Sequence, residues 1–485
     1  MRTIDKNIKL TFYGGANEIG GNKVLLEDFQ KNVKVFIDFG VNVDKLSRHK
    51  QKFGNPLTIN ELITNGFLPS VNNLPIENLY SLNFIFEQGQ RFLEKINECK
   101  GKNDPPCNCD GIFISHAHLD HYYGLSFVNR NIPIYTGLMT KSIIEANSKS
   151  SPSSFENFYY GLDWQCFRTG VNKYIKHMEV IPVHVDHSIP AAYGFIFCTS
   201  EGLVIYTGDF RMHGPLRSMT DDFIEKIKGC TSNSQVHSLI CEGTFIHKGS
   251  IESEEDVKHQ LESLFERITF DYLIVKYNRT NWDRFRTFVN IAKKFDWKYI
   301  ISERDAYFYH ILNQDPNHDT MRDPNILNDD HILILLQENH DDKLFKWQRE
   351  LRNIFIENNK DGRLYNQKDL KNIHSKFFMY YTTLQEPLSL SLPKSLTGAF
   401  ISSDIDPYAE EKFDDDKYLS TSLRNLGLPA YRIQASGHAK PHDIYNFVKE
   451  ISPKYLYPIH TKHAKLFKAL FKNTNIKVIL PKLIK

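Results

Sequence analysis

The sequence predicts a layered α/β protein in which one α/β module is interrupted by a second. Three observations carry this. Short apolar strands bounded by turn signals run through the first half, among them IPIYTG, HMEVIPV, YGFIFCTS, GLVIYTGD and SLICEG, the rhythm of a layered α/β domain. After Thr244 the pattern changes to helix SEEDVKHQLESLFERI, strand YLIVKYN, helix NWDRFRTFVNIAKKF and strand KYIISER, the alternation expected of a parallel sheet. From about Ala430 the first rhythm returns, with YRIQASGHA, a helix through DIYNFVKEI, the strand YLYPIH, a helix TKHAKLFKALF and a last strand KVIL. Residues 1–247 and 430–485 are therefore assigned to one domain, and 248–429 to a domain nested within it.

The opening segments LTFY, KVLLED and KVFIDFG read as strands around the glycine turn GGANEIGGN. That turn is no Walker A motif and lies between strands, whereas a phosphate loop opens a helix. Residues 41–110 are less regular: NGFLPSVNNLP reads as loop, FEQGQRFLEKINECK as an amphipathic helix, and GIFIS as a buried strand. The acidic stretch from Ser403 to Lys417 reads as a solvated loop or helix face.

At 485 residues the chain has material for about three domains, which the nesting reduces to two. Its 60 Lys+Arg against 58 Asp+Glu give a net charge of +2, which excludes a polybasic nucleic-acid coat. The balance is uneven, however. From Lys440 onward ten lysines face only Asp443 and Glu450, so this segment carries +8 and everything before it −6. It is expected to help draw a nucleic-acid backbone. Seven scattered cysteines do not make a disulfide scaffold, and Cys107 and Cys109 have no second pair at zinc-site spacing. No apolar run approaches the roughly 20 residues of a membrane helix. A soluble, cytoplasmic protein without a membrane partner is expected.

The strongest chemical signal is SHAHLDHYYG, which sets His116, His118, Asp120 and His121 on a loop leaving the strand GIFIS. Four metal-capable side chains within six residues can diverge toward two neighbouring metal positions. Neutral imidazoles suit zinc, and a carboxylate compensates its charge.

These four residues form the H-x-H-x-D-H signature, and through it the chain resembles the metallo-β-lactamase superfamily. Asp38 in KVFIDFG, His187 in VDHSIPAAYG and Asp209 in IYTGDFRMHG match its further motifs. Glu242 in LICEGTF, His438 in ASGHA and His460 in YPIHTKH are similar to motifs A, B and C of its β-CASP branch of nucleases. Within that branch the chain most resembles ribonuclease J and related prokaryotic RNA-processing nucleases. The fold implied is an αββα sandwich with a nested β-CASP domain.

The resemblance implies a two-metal site, with zinc as cofactor and manganese as a possible replacement. One ion is expected on His116, His118 and His187, the other on Asp120, His121 and His460, with Asp209 between them and Asp38 steadying the histidine loop. Asp120 would also accept a proton from the attacking water, His438 would protonate the leaving 3′-oxygen, and Glu242 would orient His438 and keep it charged. Ser436, Gly437, Asn281 and Arg284 are candidates for binding the substrate strand, single-stranded RNA in the first instance and DNA as the alternative. A small-molecule hydrolase is the third reading, because the histidine loop is shared across the superfamily. His184, His213 and His463 are left outside the metal set.

Overall fold

The computed structural model describes residues 7–54, 58–81, 104–151, 159–231, 235–249, 252–267, 269–315, 322–337, 344–373, 375–380, 396–403 and 412–484. The helix expected over FEQGQRFLEKINECK and residues 404–411 of the acidic stretch lie outside them. The chain divides into two compact units, one of residues 1–250 with 437–485 and one of 251–436.

The first unit holds two sheets. One has six strands in sequence order: β1 (Ile8–Gly14), β2 (Lys23–Asp28), β3 (Val33–Ile37), β4 (Gly111–Ile114), β5 (Pro133–Gly137) and β6 (Asp163–Phe167). The other contains β7 (Lys173–Ile175), β8 (Met178–Val185), β9 (Ala192–Thr199), β10 (Gly202–Tyr206) and β11 (Val236–Glu242), and later β19 (Tyr455–Ile459) and β20 (Lys477–Val478), in the order β20-β19-β11-β10-β9-β8-β7. Their facing side chains make one core, with Val24, Val35 and Phe113 from the first sheet and Phe195, Val204 and Tyr457 from the second. On the second sheet's other face, Ile205, Leu239 and Leu456 pack with Phe223, Phe447 and Phe467 of the helices Arg217–Thr231, Pro441–Ile451 and Ala464–Leu470. This is the layering of an αββα sandwich.

The helix α1 (Val43–Phe53) was not singled out in the sequence, because it is mostly polar and Leu46 is its one buried side chain. Local chemistry makes it instead. The Asn42 side chain accepts from the Lys45 amide, Asp44 lies in the first turn, and Lys50 and Lys52 in the last.

The second unit is one parallel sheet in the order β15-β14-β13-β16-β12-β17-β18, built from β12 (Tyr272–Lys276), β13 (Lys298–Ser302), β14 (Ile332–Leu335), β15 (Leu364–Tyr365), β16 (Phe377–Tyr380), β17 (Gly398–Ser402) and β18 (Ala430–Arg432). Strands such as YLIV, the buried part of β12, and FFMY are apolar throughout because both faces are covered. The return to the first domain, expected at 430, comes at Gly437. β18 pairs in parallel with β17, Ile401 opposite Tyr431, and that pairing keeps residues 430–436 with the second unit. Among the described residues no helix is long and apolar enough to cross a membrane.

Candidate metal centre

The candidate residues of the first unit sit at strand ends. Asp38 follows β3, His116 and His118 follow β4, and Asp120 and His121 lie on the short helix Leu119–Tyr122. His187 follows β8, Asp209 follows β10, Glu242 ends β11 and His460 follows β19. These side chains come together in three overlapping groups, in each of which the ligand atoms lie within 4.8 Å of one another: His116, His118, His187 and Asp209; Asp120, His121 and His460; Asp209, Glu242, His438 and His460. No group among the described residues includes His184, His213, His463 or a cysteine.

Asp209 Oδ2 is the common point, 3.6 Å from His116 Nε2, 3.2 Å from His121 Nε2 and 3.6 Å from His460 Nε2. His118 Nδ1 lies 3.0 Å from His116 Nε2 and 3.2 Å from His187 Nε2. Asp120 Oδ2 lies 3.0 Å from His460 Nε2.

The donor set fits divalent metal ions. Asp209 Oδ1 is buried with no hydrogen-bond partner among the described residues, which is costly unless something else occupies it. Burial pushes His116 and His187 well below the ordinary histidine value and His118 down to about 4, so their nitrogens keep lone pairs at neutral pH. Burial also opposes the charge of Asp120 and Asp209, yet the surrounding histidines hold both carboxyls below their ordinary value. His121 shows the other side of this. Burial disfavours its proton, but Asp209, Asp38 and Asp120 drive its pKa well above ordinary. Three carboxylates demand a cation here, and a proton or a metal ion supplies it.

Further contacts hold the loop. Asp38, in the left-handed region at φ 53, accepts from the Ser115 amide at 2.7 Å, Ser115 Oγ at 2.9 Å and Tyr206 OH at 2.5 Å, and lies 2.7 Å from His121 Nδ1. The glycine turn packs directly on the loop. The Asn22 amide donates to the Asp120 carbonyl at 3.0 Å, and a Cβ on Gly20 would meet Asp120 Oδ2 at 2.5 Å. The His460 amide donates to the Gly15 carbonyl at 2.7 Å.

His438 Nδ1 faces Glu242 at 3.1 and 3.2 Å. Burial works against its charge, but Glu242 and Asp209 raise it to about 9. Sequence reasoning missed Thr244, whose Oγ1 stands 2.8 Å from His460 Nδ1 and 3.2 Å from His438 Nδ1. It also missed Tyr206. Their position in CEGTF and IYTGD, two and three residues from Glu242 and Asp209, was the available signal.

The expected strand-binding residues fare differently. Gly437 turns its carbonyl to His187 Nδ1 at 2.5 Å, and a Cβ there would strike Ser188 Oγ at 2.5 Å, so it helps to orient that histidine. Ser436 is buried. In the second unit, Asn281 caps the helix Trp282–Phe295 by accepting from the Arg284 amide. Arg284 itself is fully buried, with Nη2 and Nε on Glu254 at 3.1 and 3.3 Å and Nη1 on Ser403. Its donors are spent inside the unit, which corrects the expectation that it receives a phosphate.

A family profile described as a beta-lactamase superfamily domain matches residues 84–231, and one described as a Zn-dependent metallo-hydrolase RNA specificity domain matches residues 430–481. Ribonuclease J of Sinorhizobium meliloti is 28% identical over 162 residues, 32% of this chain and 27% of the relative. Ribonuclease J 2 of Staphylococcus aureus is 26% identical over 191 residues, 39% of this chain and 33% of the relative. The matches thus span about a third or less of those relatives' length. A crystal structure of a protein of unknown function from Enterococcus faecalis superposes with a TM-score of 0.71 at 21% identity, covering 99% of each chain, and shows the same fold. The two profiles and the relatives agree with the motif order of the sequence: residues 84–231 and 430–481 match metallo-hydrolase domains of the beta-lactamase superfamily, and the chain is similar to ribonuclease J and to the β-CASP branch.

Proposed function

We propose that the protein is a metal-dependent ribonuclease that hydrolyses phosphodiester bonds in single-stranded RNA. The observation that carries this reading is the buried His438–Glu242 pair, 3.1 Å apart, beside the His/Asp cluster. Water can be activated by metal ligands alone, but a sugar 3′-oxygen is a poor leaving group and calls for a proton donor. A histidine kept charged at neutral pH is such a donor. The choice of RNA is supported by the RNA-specificity profile and by relatives named ribonuclease J.

In this reading His116, His118 and His187 hold one divalent ion and Asp120, His121 and His460 a second, with Asp209 shared; zinc is the proposed metal and manganese its replacement. When bound, the ions supply Lewis-acid activation of water and neutralise charge at the phosphate. The protein's own groups do the rest. Asp120 orients the attacking water and takes its proton, Asp38 fixes the His121 ring, and Thr244 holds His460 and His438 in register. His438 passes its proton to the departing 3′-oxygen while Glu242 keeps the ring aimed. The products are a 5′-phosphate and a 3′-hydroxyl.

The test compares wild type and Asp120→Asn on 5′-monophosphate, 5′-triphosphate and 5′-hydroxyl RNA and on matched DNA. RNA turnover that falls at least about 100-fold in Asp120→Asn is expected. Equal turnover of DNA would defeat the RNA assignment, and activity retained in Asp120→Asn would defeat the site. Mononucleotide against internal-fragment products identifies exonucleolytic or endonucleolytic cutting.

A further inference from the structure

A cavity of about 350 Å³ opens between the glycine turn, the start of α1 and the segment after β19. Its walls continue those of the metal centre. Glu18 and Ile19 line it and immediately precede Gly20, which packs on Asp120. Lys462 lines it from the opposite side, two residues beyond His460. The cavity and the metal centre therefore share the glycine turn and the segment after β19 as walls.

The lining chemistry is that of a nucleotide site. Glu18 accepts from the Gly15 amide at 3.2 Å, from Asn42 Nδ2 at 3.1 Å and from Lys45 Nζ at 2.5 Å, so its charge is matched inside the wall. Lys45, Arg48 and Lys462 against Glu18 and Asp44 leave the lining one net positive charge. Arg48 brings a planar fork suited to phosphate, and Lys462 a second cation from a different element. Ile19 adds an apolar surface and the exposed Asn17 an amide, the two features that a base needs from a pocket wall. The volume is in the range that small-molecule sites occupy.

We propose that this cavity is a subsite for the nucleotide adjoining the cleaved bond, with its phosphate on Arg48 and Lys462 and its base against Ile19 and Asn17. The proposal rests on the nuclease reading and deepens it.

The test measures binding of a fluorescent single-stranded 10-mer RNA by anisotropy in EDTA across a salt series, and cleavage of the same RNA with zinc or manganese. The double variant Arg48→Ala/Lys462→Ala is compared with Lys50→Ala/Lys52→Ala, which removes the same charge from the far end of α1. The subsite variant is expected to bind about tenfold more weakly, to lose about 1.4 from the salt slope for two phosphate contacts, and to raise KM, with the control pair unchanged. Equal weakening by both pairs would reduce the effect to general electrostatics and overturn the subsite; so would unchanged binding in the subsite variant. If wild-type protein cleaves nothing but its RNA affinity still depends on Arg48 and Lys462, the nuclease reading fails and the binding site stands.

Discussion

His438 Nδ1 lies 3.1 Å from Glu242 Oε1, the carboxylate fully buried and the imidazole 7% exposed. Burial by itself would strip the proton from this ring; Glu242 and Asp209 reverse that and raise the pKa from 6.5 to about 9. A group of raised pKa binds its proton more tightly folded than unfolded. In the metal-free protein its contribution to stability is therefore complete below pH 6.5 and lost as pH rises through about 9. The general-acid role has the same sign, so kcat should fall on the alkaline side as His438 loses its proton. In Glu242→Gln the desolvation is left unopposed by that carboxylate, and the alkaline limb should move to lower pH. His438→Ala should lower kcat by about 10²–10⁴. A pH–rate profile checks both, and an alkaline limb that stays in place in Glu242→Gln would break the assignment.

Asp38 receives two bonds from Ser115 and one from Tyr206 while facing His121 Nδ1 at 2.7 Å. Asparagine tolerates the left-handed backbone that Asp38 adopts at φ 53, so Asp38→Asn should fold. It removes the charge that fixes the His121 tautomer. Metal affinity should drop about 10–100-fold, the usual effect of losing a carboxylate behind a metal-binding histidine. Competition with a chromophoric chelator measures this directly, and unchanged affinity would remove Asp38 from the site.

Gly20 and Gly66 both lie at φ +74, but a Cβ at Gly20 would stand 2.5 Å from Asp120 Oδ2 whereas one at Gly66 meets nothing within 4 Å. Alanine at either position costs about 1–2 kcal/mol of backbone strain. Only Gly20→Ala should also displace Asp120. Gly20→Ala should lose more thermal stability than Gly66→Ala, because the clash adds to the shared backbone strain, and it alone should reduce metal affinity; equal affinities would show that the glycine turn does not position Asp120.

The legible parts of this protein were those where one residue type must stand at one spacing. His116, His118, Asp120 and His121 announce a metal loop because strand-end geometry allows few alternatives, and the apolar runs of β4, β10, β11 and β12 announce buried strands. Contacts between distant segments were not legible. Thr244 reaches His460 across 216 positions and Tyr206 reaches Asp38 across 168, and neither residue type is rare enough to attract notice. α1 escaped because it is mostly polar and buries a single side chain, Leu46. The boundary at 430 slipped to 437 because an edge strand of three residues, AYR, carries too little pattern to reveal which sheet it joins.

Arg284 illustrates the same limit and supports a test of its own. An arginine at a helix start after a strand suggested phosphate, but Glu254 takes two of its donors and the side chain is fully buried. Glu254→Ala leaves that guanidinium buried without its countercharge and should cost about 3–5 kcal/mol, whereas an apolar replacement of both partners should cost far less. Thermal unfolding of Glu254→Ala, Arg284→Met and Glu254→Leu/Arg284→Met checks the ordering, with the double variant more stable than Glu254→Ala. RNA binding by the folded Arg284→Met protein should keep the wild-type salt slope, because the residue neutralises a carboxylate and not a phosphate. A slope reduced by about 0.7, the amount for one single-strand contact, would return Arg284 to the substrate-binding set.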